Sequence, residues 1–212
     1  MEARTEKSEL TRAAIVDAAL ELAADNGLDA LSINDVAQKL GMSKSGVFSR
    51  VGSREALQLA VLQEYADRVT REVFVPGMRE PRGLPRLDAF LRNWQAFIQR
   101  SAQGCGCLFV SGAFEFDDRP DSPLKEAIRE GTLRLRAALR RTIIQAADEG
   151  QLQAGTDPEQ LVFEIHSLMI GVMHDLRFLR EQRAASRIAT AYHRLIDSYR
   201  AAGTAQTAGQ RH

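Results

Sequence analysis

Cysteine is nearly missing from this chain: Cys105 and Cys107 are the two present in 212 residues. Their spacing is too close for an easy disulfide and no second pair completes a zinc site, which leaves redox-sensing thiols or small residues near a helix start. Net charge is missing too, with 28 Lys and Arg against 28 Asp and Glu. That balance excludes a nonspecific polyanion binder, whose whole surface would be basic. No apolar stretch reaches transmembrane length, and none follows the charged segment Met1–Lys7 to make a signal peptide. A cytosolic protein with reduced thiols and no membrane contact is the expectation. Catalytic equipment is equally thin. Nothing pairs a nucleophile with a base, Ser111 and Gly112 are not flanked like a nucleophile elbow, and His166 and His174 do not stand at metal-ligand spacing. We therefore expect no enzyme, no cofactor and no metal. What remains is 44% hydrophobic and 26% charged, the composition of a soluble globular protein.

The stretch from Ser32 to Arg54 is where the pattern becomes specific. Ile33 to Leu40 reads as a short helix with Val36, Ala37 and Leu40 turned inward, a break follows at Gly41, and Ser43 opens a second short helix that ends near Arg50. Helices this short are not stable alone, so they must pack as the pair of a helix-turn-helix. Ala37 is small enough for a close crossing, Gly41 accepts the positive φ of a tight turn, and Val47 stands midway along the second helix as its buried residue. Serines mark the helix starts: Ser32, with Asp35 completing a capping-box-like pair, then Ser43 and Ser53. With Val47 inward, Lys44, Ser45, Ser49 and Arg50 face outward, and Gly46 lets another surface approach. From Lys39 to Arg54 four residues are basic and none is acidic, a small cationic face with hydroxyls of the kind a helix in the DNA major groove needs. A solvated charged face and an ordinary helical hairpin remain alternatives. Met1 to Ala60 carries 7 basic and 9 acidic residues, so any DNA affinity must come from this local patch and fall steeply with salt.

The run from Arg12 through Leu57 resembles the N-terminal domain of the tetracycline-repressor (TetR) family of transcriptional regulators. The resemblance rests on Ile15, Ala18, Ala19 and Leu22 in a first helix, Gly27, Ser32, Val36, Ala37, Gly41 and Ser43, and the closing Gly52, Ser53, Arg54 and Glu55. It implies an all-α fold: a three-helix DNA-binding head with the helix-turn-helix, and a larger C-terminal helical bundle that dimerises. It also implies a double-stranded DNA operator as partner. Carried over by position, Lys44, Ser45 and Ser49 face bases, while Ser32, Ser43, Arg50 and Arg54 face phosphates, with Gly46 and Phe48 in the same surface. The chain departs from the family pattern at Phe48, where a Tyr hydroxyl usually binds phosphate, leaving Ser49 or Arg50 to take over that contact. Val51 stands where the family has Phe.

Around this head we expect residues before Ser8 to form a flexible arm and Glu9 to Asp25 to form the bracing first helix. A long rod should run from Ser53 to Pro76. Pro76, Pro81, Pro85, Gly77 and Gly83 break the helical pattern, which resumes with Leu87, Phe90, Leu91, Trp94, Phe97 and Ile98. Domains are expected at 1–52 and 53–202, with a disordered tail at 203–212. A helix from Pro158, capped by Asp157 with Gln160 at the third position, carries two apolar stripes widened by Phe163 and Ile170, more than its own core requires. Together with the helix at 184–200 it is expected to form a homodimer over 158–181 and 184–200. Trp94, Phe97, Phe109, Phe114, Phe116, Met169 and Met173, with His166 or His174 as polar group, are the candidate wall for a small apolar effector, a reading owed mostly to the resemblance. Plain core is the alternative for these residues. The functional expectation is a ligand-released repressor on a palindromic operator, with an architectural DNA-binding protein lacking an inducer as the rival.

Overall fold

The computed structural model describes residues 2–100 and 107–201, with side chains from Glu9 onward. Cys105, the tail at 203–212 and the side chains of the expected N-terminal arm lie outside the described residues. Within them regular structure is helical, apart from one isolated bridge between Leu152 and Arg200. The helices are α1 (Glu2–Asn26), α2 (Ile33–Leu40), α3 (Lys44–Val51), α4 (Arg54–Val69), the one-turn α5 (Val75–Gly77), α6 (Leu84–Arg100), α7 (Leu108–Phe116), α8 (Pro123–Asp148), α9 (Pro158–Arg177) and α10 (Ala184–Tyr199). The all-α reading therefore holds. The chain divides into two compact units, Met1–Arg71 with Phe97–Thr132, and Glu72–Ala96 with Leu133–His212.

In the first unit α1 packs on α2 and α4, and α2 packs on α3. Ile15, Ala19, Leu28, Val36, Val47, Leu57 and Val61 have no solvent-exposed surface and form its centre. Tyr65 continues that core, with Phe97 tilted 5.7 Å away and Phe109 edge-on at 5.1 Å. The Phe109 ring lies where a methyl on Gly131 would sit, 2.1 Å from its nearest atom, so the approach of α7 to α8 depends on a residue without a side chain. Cys107 opens α7 as a buried residue, and burial pushes its thiol up. A thiol held protonated in this way is chemically quiet, which favours the small-residue reading over the redox one.

α1 starts at Glu2, seven residues before the expected Glu9. Residues 2–8 hold neither Gly nor Pro, and an acid at the first position suits the positive end of the helix dipole, so nothing stops the helix from extending. The expected straight rod from Ser53 to Pro76 is interrupted. α4 ends at Val69, and Thr70–Phe74 form a π-helical turn before α5. Pro76 has no N–H, and its ring would collide with the carbonyl of Glu72 in a regular helix, so the backbone widens just ahead of it. The Asn93 side-chain amide donates to the Val73 carbonyl at 3.0 Å and so satisfies a group within the widened turn.

The second unit is built on α9 and α10 packed together. Asp157 caps α9 by accepting from the Glu159 N–H at 2.9 Å, with Pro158 at the first position as expected. Gln160 does not complete a capping box, because its amide donates instead to Glu164 at 3.0 Å. Tyr192 is buried, and its hydroxyl donates to Asp88 at 2.7 Å. Burial pushes this phenol well above its ordinary range, and the neighbouring carboxylate adds to the shift. Below about pH 10 the phenol is neutral in both folded and unfolded chains; above it the unfolded chain ionises and the folded chain does not. The unfolding free energy from urea titrations should therefore fall between pH 9 and 11, by up to about 1.4 kcal/mol per pH unit from this group. Tyr192→Phe should be less stable at pH 8 and lose less over that interval, and parallel curves for the two proteins would refute the assignment.

Candidate nucleic-acid interface

The site is assembled from short-range bonds. Ser32 precedes α2, where its Oγ accepts from the Asp35 N–H at 3.2 Å and donates to the Asp35 carboxylate at 2.6 Å. Gly41 ends α2 at φ 62°, and the Met42 N–H then reaches the Ala37 carbonyl at 2.9 Å. Only a residue tolerant of the left-handed region closes this turn cheaply. Ser43 caps α3, accepting from the Gly46 N–H at 3.1 Å. A methyl on Gly46 would stand 3.0 Å from the Ser43 hydroxyl oxygen, so glycine at this position keeps the cap roomy as well as the surface low. Val47 is fully buried and Val51 nearly so, which fixes the rotation of α3.

That rotation leaves Lys44, Ser45, Phe48 and Ser49 exposed. Lys44 occupies the first position of α3, beside unpaired helix N–H groups that also favour an anion. Phe48 is 53% exposed, an apolar ring in the middle of the polar face. Ser49 donates to the Gly46 carbonyl at 3.0 Å, a bond a base or phosphate oxygen can replace.

Two expected phosphate ligands are engaged elsewhere in this structure. Arg50 folds back along its own helix, donating from Nη1 to the Gly46 carbonyl at 2.8 Å, with its Nε buried and lacking an acceptor. Arg54 reaches the loop between α1 and α2, where its Nε donates to the Leu31 carbonyl at 2.9 Å and its Nη2 to Asp29, at the carboxylate 3.3 Å away and at the backbone carbonyl. Lys39, the remaining cation of the stretch, pairs with Glu21 at 2.8 Å. The cationic face legible in the sequence therefore narrows to Lys44.

The same loop shows what the sequence pattern missed. Arg119 clamps the Asp29 carboxylate with two bonds of 2.8 and 2.9 Å, and its guanidinium also lies 4.6 Å from the Phe116 ring centre. The Asp29 N–H donates to Glu115 at 2.8 Å, and buried Gln58 donates to the Leu28 carbonyl at 2.8 Å. The Arg119 bonds, with Arg54 adding its charge, hold the Asp29 carboxyl below the usual carboxylate range. Four side chains thus fix the loop that delivers Ser32 to α2. Asp29 and Arg119 lie 90 residues apart, and no local pattern announces such a pair.

The residues expected around an effector divide between places. Trp94 and Met169 help line a small void in the second unit, where His166 and Met173 are buried on α9. Phe97 and Phe109 pack on Tyr65 in the first unit, Phe116 is buried there beside Arg119, and Phe114 is 66% exposed. His174 is exposed, 3.5 Å from the Asp175 carboxylate. Among the described residues no group of His, Cys, Asp and Glu is placed to hold a metal, and no helix is long and apolar enough to cross a membrane.

A short capped helix, buried on one side, crossed against a second helix over a glycine turn and carrying lysine and hydroxyls outward, defines a helix-turn-helix DNA-binding protein. The chain belongs to the TetR family: residues 15–61 match the bacterial regulatory proteins of the tetR family, and residues 83–192 match the tetracyclin repressor-like C-terminal domain. Its fold is shared with a TetR transcriptional regulator from Chloroflexus aurantiacus, 25% identical with a TM-score of 0.74, covering 91% of this chain and 95% of that one. A TetR-family regulator from Agrobacterium tumefaciens is 16% identical with a TM-score of 0.79, covering 92% and 100%. A regulator from Saccharomonospora viridis solved in complex with choline is 16% identical with a TM-score of 0.75, covering 89% and 96%. No curated protein matches the chain. The protein is thus of a family of DNA-binding transcriptional regulators.

Because both partners of the Asp29–Arg119 pair are more than a third exposed, its effect on global stability should be small. Its effect should be local. In Arg119→Ala, amide exchange at Asp29 and across 31–35 should speed by about tenfold while the urea midpoint hardly moves. Unchanged exchange would show that the clamp does not hold the loop.

Proposed function

We propose that this protein is a repressor that binds a palindromic DNA operator as a homodimer and is released from it by a small apolar molecule. The observation that carries the DNA reading is α3 itself, with Lys44, Ser45 and Ser49 on the face opposite buried Val47. Lys44 and Ser45 meet base edges, Ser43 and Ser32 lie beside phosphates at helix N-termini, and Ser49 takes the place of the missing Tyr hydroxyl at Phe48. Phosphate binding by Arg50 or Arg54 requires each to leave its present carbonyl partners, so we assign them to positioning the helix and loop.

A single eight-residue helix reads too few base pairs for useful specificity, and duplication over a twofold axis solves that problem. The dimer reading is supported by α9, where Phe163 is 57% exposed and Phe178, just past its end, is 78% exposed. Between them Gly171 has open space around it, which lets a partner helix come close. This apolar strip beyond the helix's own buried face fits a second copy of α9 and α10 across 158–181 and 184–200. Residues 1–52 then serve as the reading domain and 53–202 as the ligand-binding and dimerising one.

The release step is supported by the void beside Trp94, which adjoins the π-helical turn at the end of α4. A molecule bound there better in one arrangement of α4 than another lowers operator affinity by that difference. A DNA-binding architectural protein without an inducer is the second reading, favoured by the smallness of the void, about 10 Å³.

Operator sequences can be selected from a random-sequence duplex pool with the full-length protein. On the selected duplex, Lys44→Glu should lower affinity at least about tenfold and relax base preference at the position it contacts, and unchanged retention would remove α3 from the interface. Phe163→Glu should leave the helical content intact and shift the protein to monomers in sedimentation equilibrium, with operator affinity falling in parallel. A stable Phe163→Glu dimer would place the twofold interface elsewhere.

A further inference from the structure

We infer that the void beside Trp94 takes an uncharged, apolar molecule bearing one hydrogen-bond acceptor, to which the Trp94 indole N–H donates. This rests on the effector reading above and adds the chemical class of the effector. The wall is formed by apolar side chains, Val73, Phe74, Phe90 and Met169 among them, with the indole of Trp94 and the phenol of Tyr192. No charged side chain lines it, so an ionic ligand would be desolvated with no counter-charge to meet it. Tyr192 already donates to Asp88 at 2.7 Å. Trp94 is 2% exposed, and its indole N–H is buried with no acceptor.

An indole N–H in that position has lost its water and gained nothing in return, which is costly and uncommon in a folded core. A ketone, ester or ether oxygen brought to this wall restores the bond. Among the lining side chains a ligand donor would meet the Tyr192 oxygen, whose own proton already goes to Asp88, and would leave the indole N–H without a partner. Selection for one acceptor on an otherwise apolar body follows.

The void holds about 10 Å³, at the lower limit for one water, so a ligand must enlarge it. The wall offers two yielding parts. Met169 is unbranched and adapts its shape, and Val73 and Phe74 belong to the π-helical turn, whose hydrogen bonding is less favourable than that of an α-helix. Asn93, donating to the Val73 carbonyl, holds that turn in its present form.

Trp94 is the sole tryptophan of the chain, so its emission and its indole ¹⁵N–¹H resonance both report directly on the site. Acetophenone and ethylbenzene are suitable probes, close in shape and differing by a carbonyl. In the full-length wild-type protein acetophenone should bind about tenfold more tightly than ethylbenzene and move the indole resonance downfield, while ethylbenzene leaves the hydrogen-bond shift absent. In Trp94→Phe, read by thermal shift, the advantage of acetophenone should fall to about onefold. Equal binding of the two probes by wild type, an advantage that survives Trp94→Phe, or an indole resonance that neither probe moves would each overturn the assignment. If Trp94→Phe does not fold, the wild-type resonance decides alone. Operator affinity measured with acetophenone present separates the two readings: the indole contact with unchanged DNA binding sinks the effector role and leaves the site, whereas no indole contact sinks the site whatever the DNA does.

Discussion

An eight-residue helix has no independent existence in water, and everything α3 can offer to DNA depends on burying Val47 and Val51. Each such side chain contributes roughly 1.5–3 kcal/mol when removed from water, comparable to the ordering cost of a few residues. The remainder comes from details that make the helix cheap to start and stop. Ser43 supplies the missing acceptor at its first turn, and Gly41 relieves the turn before it of backbone strain. Burial of one valine also decides orientation, because turning Val47 inward is what turns Lys44, Ser45 and Ser49 outward.

The head is not rich in positive charge, and three of the four cations between Lys39 and Arg54 are employed in holding it together. Lys39 pairs with α1, Arg54 grips the α1–α2 loop, and Arg50 lies along α3. Asp29 collects Arg54 and Arg119 and so joins α4 and the turn after α7 to the loop ahead of α2. Within that stretch one lysine and several hydroxyls are left for the nucleic acid. A surface of this kind favours shape and base-edge contacts over bulk attraction, which agrees with a chain whose formal net charge is zero.

The helices, their caps and the buried faces were legible because they are written locally. Ser32, Ser43, Ser53 and Asp157 all cap the helices they precede, and Gly41, Gly52 and Gly150 all take positive φ. Even the discontinuity in the rod has a local cause, since the steric demand of Pro76 falls on Glu72, four residues back inside the helix. What could not be read was the destination of long side chains. Outward-facing Arg50 and Arg54 have reach enough to choose between phosphate and carbonyl, and their choice depends on Asp29 and Leu31, brought close only by folding. The effector wall was legible only in part for a related reason: Phe97, Phe109 and Phe114 have the same apolar character as Trp94 and Met169, but residue type does not say which core each helix turn enters. The unengaged indole of Trp94 is invisible to any pattern, being a bond that is not made.

Dimethyl sulphate footprinting on a duplex selected by the full-length protein tests the central claim most directly, since guanine N7 lies in the major groove and adenine N3 in the minor. The account predicts two protected clusters of guanine N7, related by inversion and centred about one helical turn or a multiple of it apart, with adenine N3 still reactive. Protection confined to adenine N3, or a single cluster with no inverted mate, would contradict it.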